Sequence, residues 1–212
     1  MLYKALSLIR DELETYIRNQ GQGLPTANVV LENVALLETQ NDSLLTDNII
    51  ITLVNLEEES TLKNMPNLKK NAIGGYDYVD PPIHLNLYLL FCANFVGGQH
   101  PNNNYTEALK RLSYVIQFFQ SRNTFTLSDT PNATLSQNTS NLADPEVTTM
   151  KLKLELYTLT FEQINHLWGS LGGRQIPFVM FKVRLVKIRE RITQDASLIE
   201  EIQDRSAAIQ DR

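Results

Sequence analysis

Lys151-Leu152-Lys153-Leu154-Glu155-Leu156-Tyr157 alternates polar and apolar residues, the two-residue period of a strand buried on one face. Thr160 is followed three residues later by Gln163, the capping-box pair that satisfies the first free N–H groups of a helix. A helix is therefore predicted there, with Phe161, Ile164, Leu167 and Trp168 on one side. Gly169, Gly172 and Gly173 are expected to end it, because glycine accepts the left-handed conformation that closes a helix. Past Pro177 the alternation returns, with Val179, Phe181, Val183 and Leu185 on one face and Met180, Lys182, Arg184 and Val186 on the other. Residues 151–188 thus read as strand, short helix, turn and strand, and the rest of the chain reads as its support.

Upstream, Leu2, Leu6, Ile9, Leu13 and Ile17 recur at helical spacing, one face of an amphipathic helix. Residues 29–37 read as a strand weakened by Glu32 and Asn33. Ile49-Ile50-Ile51-Thr52-Leu53-Val54-Asn55-Leu56 reads as a stronger, interior one. Asn41-Asp42-Ser43 is placed to turn a hairpin between them, and Glu57-Glu58-Glu59 reads as a solvated strand end. Residues 60–82, with Pro66, Gly74-Gly75 and Pro81-Pro82, form an expected long loop. Ile83, Leu85, Leu87, Leu89, Phe91, Ala93 and Phe95 alternate, and Tyr88, Leu90 and Cys92 make the other face apolar too, so a central strand is predicted. Asn104 with Glu107 opens a second helix carrying Leu109, Leu112, Ile116 and Phe119. Thr124-Phe125-Thr126-Leu127 is a short strand, and the polar segment 128–149 is expected to be an exposed loop outside the core. The predicted fold is α+β: a largely antiparallel sheet of about five strands with helices on one face. It spans residues 1–188. The remaining segment, 189–212, has Ile192, Ile199, Ile202 and Ile209 among many charges and reads as a helical tail that packs on a neighbour.

The net charge is −5, which argues against general nucleic-acid binding, since that requires a basic surface to release counterions. No apolar run has the ~18 residues of a membrane span, and no cofactor is implied. His84, His100 and His166 are not paired with one another or with the single cysteine, Cys92, at metal-ligand spacing. Gly169-Ser170-Leu171-Gly172-Gly173 departs from a nucleophile elbow, because Ser170 directly follows Gly169 and comes after a helix rather than before one. A phosphate loop needs its glycines at a helix start, and these follow the helix. The structural reading of Gly172, Gly173 and Pro177 is a helix stop and tight turn into the last strand, anchored by Trp168 in the core or at a subunit contact. Arg174 is placed to cap the helix or to pair with a carboxylate. Lys151, Lys153, Lys182, Arg184 and Lys187 would form one cationic stripe if the two strands are neighbours. That stripe is either a soluble sheet face or a docking surface for an acidic partner.

The run Leu156-Tyr157-Thr158-Leu159-Thr160-Phe161-Glu162-Gln163-Ile164-Asn165-His166-Leu167-Trp168-Gly169-Ser170-Leu171-Gly172-Gly173-Arg174-Gln175-Ile176-Pro177 resembles the signature of the cap, or tail-terminator, proteins of contractile injection systems of the antifeeding-prophage type. Pro82-Ile83-His84-Leu85-Asn86-Leu87-Tyr88-Leu89-Leu90-Phe91, followed by Tyr105 and Ala108-Leu109, is similar as well, so the resemblance covers about residues 1–188. It implies a tail-terminator-like fold and a homohexameric ring. Such a ring would close the inner tube and sheath at the end distal to the baseplate and stabilise the extended sheath. The partners implied are the chain itself, the inner tube protein and the sheath protein. Assembly would take place in the bacterial cytoplasm, within a particle that is then released or anchored. The physics is simple: a ring that matches the growing end below and offers nothing above stops growth. Sheath arms in such particles join by strand exchange, so a free sheet edge would accept the last arm. Strands 151–157 and 179–185 are both candidates for that edge. Two rivals stand beside this reading. One is a small hydrolase using Ser170 and His166; the other is a head–tail neck connector that binds DNA.

Overall fold

The computed structural model describes residues 1–20, 28–38, 45–62, 68–70, 76–79, 81–95, 104–138, 144–188 and 193–196. In chain order the elements are α1 (Leu2–Gln20), β1 (Val29–Leu31), β2 (Asn48–Glu58), β3 (Leu68–Lys70), β4 (Tyr76–Val79), β5 (Ile83–Asn94), α2 (Asn104–Ser121), β6 (Thr124–Thr126), α3 (Thr134–Gln137), α4 (Pro145–Thr148), β7 (Lys151–Leu156), α5 (Phe161–Ser170), β8 (Phe178–Ile188) and β9 (Thr193–Ala196). Six strands form one sheet in the order β1-β2-β5-β8-β7-β6, and β3-β4-β9 form a second, three-stranded sheet. Every described pairing is antiparallel except β1 with β2.

The α+β class and largely antiparallel sheet are as expected, with six strands in the main sheet instead of five. The helices lie on both faces rather than one. Against the first face pack Leu8, Ile9, Leu13 and Ile17 of α1 and Val115, Phe118 and Phe119 of α2, over Ile49 and Ile51 of β2, Leu87, Leu89 and Phe91 of β5, and Phe181 and Val183 of β8. The Phe119 ring lies 4.7 Å from that of Phe181 and 5.2 Å from that of Phe91. Helix α5 covers the second face, where Trp168 and Ile176 meet Ile50, Leu90, Cys92 and Met180. An amphipathic pattern shows which side of a helix is buried. It carries no information about which face of the sheet receives it.

Other local expectations change for physical reasons. β1 runs parallel to β2, so no hairpin joins them: a 3-10 turn at Val34–Glu38 follows β1, and Asn41-Asp42-Ser43 lies outside the described residues. Segment 128–149 contributes to the core, since Thr130, Ala133, Leu135 and Val147 are buried. It is strapped across α1 by Asn132 N–H to Glu12 (3.2 Å), Thr134 N–H to Asp11 (2.9 Å) and Lys4 to Asp144 (3.4 Å). Helix α2 buries Ala108, Leu112, Val115 and Phe119, leaving Leu109 and Ile116 exposed, a rotation of the expected face. Within the expected loop 60–82, β3 and β4 form. The four described residues of the tail, Thr193–Ala196, are strand and pair with Tyr76–Val79, in contrast to the expected helix.

Candidate functional site

The second face of the main sheet changes character along its strands. At one end it is apolar and covered by α5. Towards the other end the same alternation presents Tyr88, Asn86 and His84 from β5, Lys182, Arg184 and Lys187 from β8, and Lys151, Lys153 and Glu155 from β7. Register sets Lys153 beside Arg184, Glu155 beside Lys182, and Lys182 beside Tyr88. β7 and β8 are neighbours, so the cationic residues do share one surface. Glu57 pairs in register with Asn86, and Glu59 follows it just past the end of β2.

The acidic strand end is therefore not merely solvated. Glu57 accepts hydrogen bonds from the Tyr88 hydroxyl (2.6 Å) and Lys182 (3.3 Å), and these two, Tyr88 first, hold its carboxyl below the usual carboxylate range. Glu59 accepts from the Asn86 amide (2.9 Å) and the Thr61 hydroxyl (2.8 Å), which bring it down to about 2. Arg184 lies 3.6 Å from Glu59 and 3.7 Å from Glu155. Lys153 lies 2.8 Å from Glu155 and is the main reason that carboxyl is lowered. Lys153, Lys182 and Arg184 are thus matched within the chain. Lys151 and Lys187 make no ion pair with a described residue, and both border a depression of about 410 Å3 that His84, Met150 and Val186 also line.

At the covered end, the predicted turn residues come together. The Thr160–Gln163 capping box is formed in both directions. Trp168 is 4% exposed and meets Phe178 edge-on. Gly173 N–H donates to the Trp168 carbonyl at 2.7 Å, the six-to-one bond of a Schellman ending, and Gly172 (φ 105°) and Gly173 (φ 84°) supply the left-handed backbone it requires. Gly169 lies inside the helix rather than at its stop. The Pro177 carbonyl accepts from Ala93 N–H at 3.1 Å, starting β8 beside β5. Arg174 is exposed and neither caps α5 nor pairs with a carboxylate among the described residues. Phe161, read as part of the buried side, is 88% exposed because it opens the first turn of the helix.

The other readings find little geometry. The Ser170 hydroxyl donates to the Leu167 carbonyl at 2.7 Å, and His166 is exposed beside Glu162. Among the described residues no group of His, Cys, Asp and Glu gathers to hold a metal ion, and no helix is long and apolar enough to cross a membrane. Of the two candidate free edges, β8 is excluded, since it lies between β5 and β7. β6 pairs with β7 at Lys151, Leu152 and Lys153, and the Asn123 carbonyl accepts from Leu154 N–H at 2.8 Å, so among the described residues only the end of β7 beyond Leu154 pairs on one side alone. β2 is likewise paired with β1 only at Ile49, Ile50 and Ile51.

A family model described as the Pvc16 N-terminal domain matches residues 6–201. No protein of curated function matches the chain. Among solved structures, the chain is similar to the PVC sheath/tube terminator of an extracellular contractile injection system in its extended state. The TM-score is 0.56 at 11% identity, covering 99% of this chain and 65% of that one. It is also similar to the tube-terminating cap of the anti-feeding prophage, with a TM-score of 0.50 at 14% identity over 92% of this chain and 60% of the other. The chain therefore spans less than two thirds of the length of either solved protein, and the likeness is one of fold.

Proposed function

The chain belongs to the Pvc16 N-terminal domain family, and from that premise we propose that it is a structural cap of a contractile injection system. In this reading it ends the inner tube and sheath at the end distal to the baseplate and stabilises the extended sheath. The observation that carries it is the fold shared with a sheath/tube terminator along 99% of the chain. The cap is a homo-oligomeric ring, with six subunits as the resemblance implies, assembled in the cytoplasm. Its partners are further copies of itself, the tube protein and the sheath protein. The charged half of the sheet supports such a role. An ordered ladder of matched charges sets orientation and register against a partner, and Lys151 and Lys187 remain to meet its carboxylates. The one-sided stretches of β2 and β7 offer backbone groups for an added strand.

Neither rival gains a supporting observation. The Ser170 hydroxyl is engaged by a backbone carbonyl. Of the five cations that a DNA connector would use, Lys153, Lys182 and Arg184 are held by Glu155, Glu57 and Glu59. The direct test is to label the full chain and image it on purified particles. The reading expects label at one end only, opposite the baseplate; label along the sheath, or none on particles, would overturn it.

A further inference from the structure

The two ends of α5 carry complementary features that cannot meet within one chain. At its N-terminus Phe161 is 88% exposed, the most exposed large apolar side chain among the described residues. Beside it stands Glu162, whose side chain is 85% exposed and whose nearest partner is an equally exposed His166 at 3.8 Å. Beyond the C-terminus of the same helix, the turn into β8 and the start of α2 enclose an open groove of about 480 Å3. Tyr105, Leu109 and Leu112 line one side, and Ile176, Pro177 and Phe178 the other. Tyr105 is 66% and Leu109 44% exposed. Gln175 lines the groove too, and its chain neighbour Arg174 is exposed and without a described ion-pair partner. An aromatic knob with a carboxylate thus lies at one end of a ten-residue helix. An apolar groove with a cation lies at the other, roughly 15 Å away along the axis.

We propose that the Phe161 knob of one subunit enters the Tyr105–Leu109–Phe178 groove of the next, with Glu162 facing Arg174. The occupant is a second copy because this chain carries both halves and their signs match. The contact is heterologous, head to tail, the type that closes into a ring when the rotation between subunits permits. Successive α5 helices then follow one another head to tail around the ring, so the positive N-terminal end of one approaches the negative C-terminal end of the next. The inference rests on the ring proposed above and names its subunit contact.

The test measures the mass of the full-length protein in solution by light scattering, with circular dichroism to verify folding. Phe161→Glu and Leu109→Glu change exposed positions, so both should fold. Each alone should be monomeric where the wild type is assembled. Mixed in equal amounts, they should form a one-to-one dimer, since one retains the groove and the other the knob. Arg174→Glu should weaken association by roughly tenfold, the effect of losing an important interface contact, and adding Glu162→Arg in the same chain should restore it. A wild-type protein that stays monomeric overturns the ring and this contact together. A wild-type oligomer indifferent to Phe161→Glu, or a mixture that forms no dimer, overturns the contact alone. A double charge exchange that fails to restore assembly overturns the Glu162–Arg174 pairing.

Discussion

Trp168 meets Phe178 edge to face, ring centroids 5.4 Å apart and planes inclined at 64°. The contact ties the last turn of α5 to the first residue of β8, across the turn that Gly172 and Gly173 make possible. It is also where the covered half of the second sheet face ends. Helix, turn and strand are therefore joined by side-chain packing as well as by the backbone.

Removing the indole should be costly. Trp168→Ala is expected to lower stability by about 3–5 kcal/mol, the usual cost of emptying a large buried aromatic site. Trp168→Phe should cost much less, because the indole N–H has no partner among the described residues and its loss relieves an unsatisfied buried donor. Denaturant midpoints of the three proteins check this; equal midpoints for Ala and wild type would contradict the burial.

Gly169 in the helix and Gly173 in the turn should respond oppositely to the same change. Gly173→Ala places a side chain at φ 84°, where an L-residue costs roughly 1–2 kcal/mol. Gly169→Ala falls in a helical position with nothing within 4 Å of the new methyl and should stabilise by about 0.5–1 kcal/mol. Thermal unfolding of both variants decides the matter.

The charge ladder makes a prediction about pH. Glu59 titrates at about 2, held down by the Asn86 amide and the Thr61 hydroxyl, below its value in the unfolded chain. The folded state therefore binds the proton less readily than the unfolded one. The contribution to stability is fully present above the ordinary carboxylate value, and it is lost as the pH falls from there towards 2. Carboxyl NMR titration should place Glu59 near its folded value, and Asn86→Ala should raise it. A Glu59 that titrates like a free glutamate would contradict the ladder.

Residues 189–212 are proposed to be separable from the main fold. Deleting them removes β9, the partner of β4, and leaves the six-stranded sheet intact. Amide exchange should quicken across Tyr76–Val79, while the cooperative unfolding transition persists. Loss of that transition would place the tail within the core.

Much of this was legible in the sequence where a period is local. The alternation of β7, the capping box at Thr160, the Gly172-Gly173 stop and the two-sided apolar pattern of β5 each need only neighbouring residues. The misses share a cause. Ala133, Leu135 and Val147 sit singly in a polar segment, so no period announces that they join the core. On α2, both Leu109 with Ile116 and Val115 with Phe119 fit helical spacing, and only tertiary packing chooses the second pair. Glu57 meets Lys182 across 125 positions, a pairing set by strand order and register. Phe161 obeys the helical pattern and still projects into solvent, because it stands in the first turn.

The central claim, that this chain ends tube and sheath growth, is tested most directly by measuring tube length in cells that assemble the particle without it. Electron micrographs should show tubes of irregular length with no terminal ring, and sheaths that are missing, unstable or already contracted. Particles of normal, uniform length with intact ends would contradict the account.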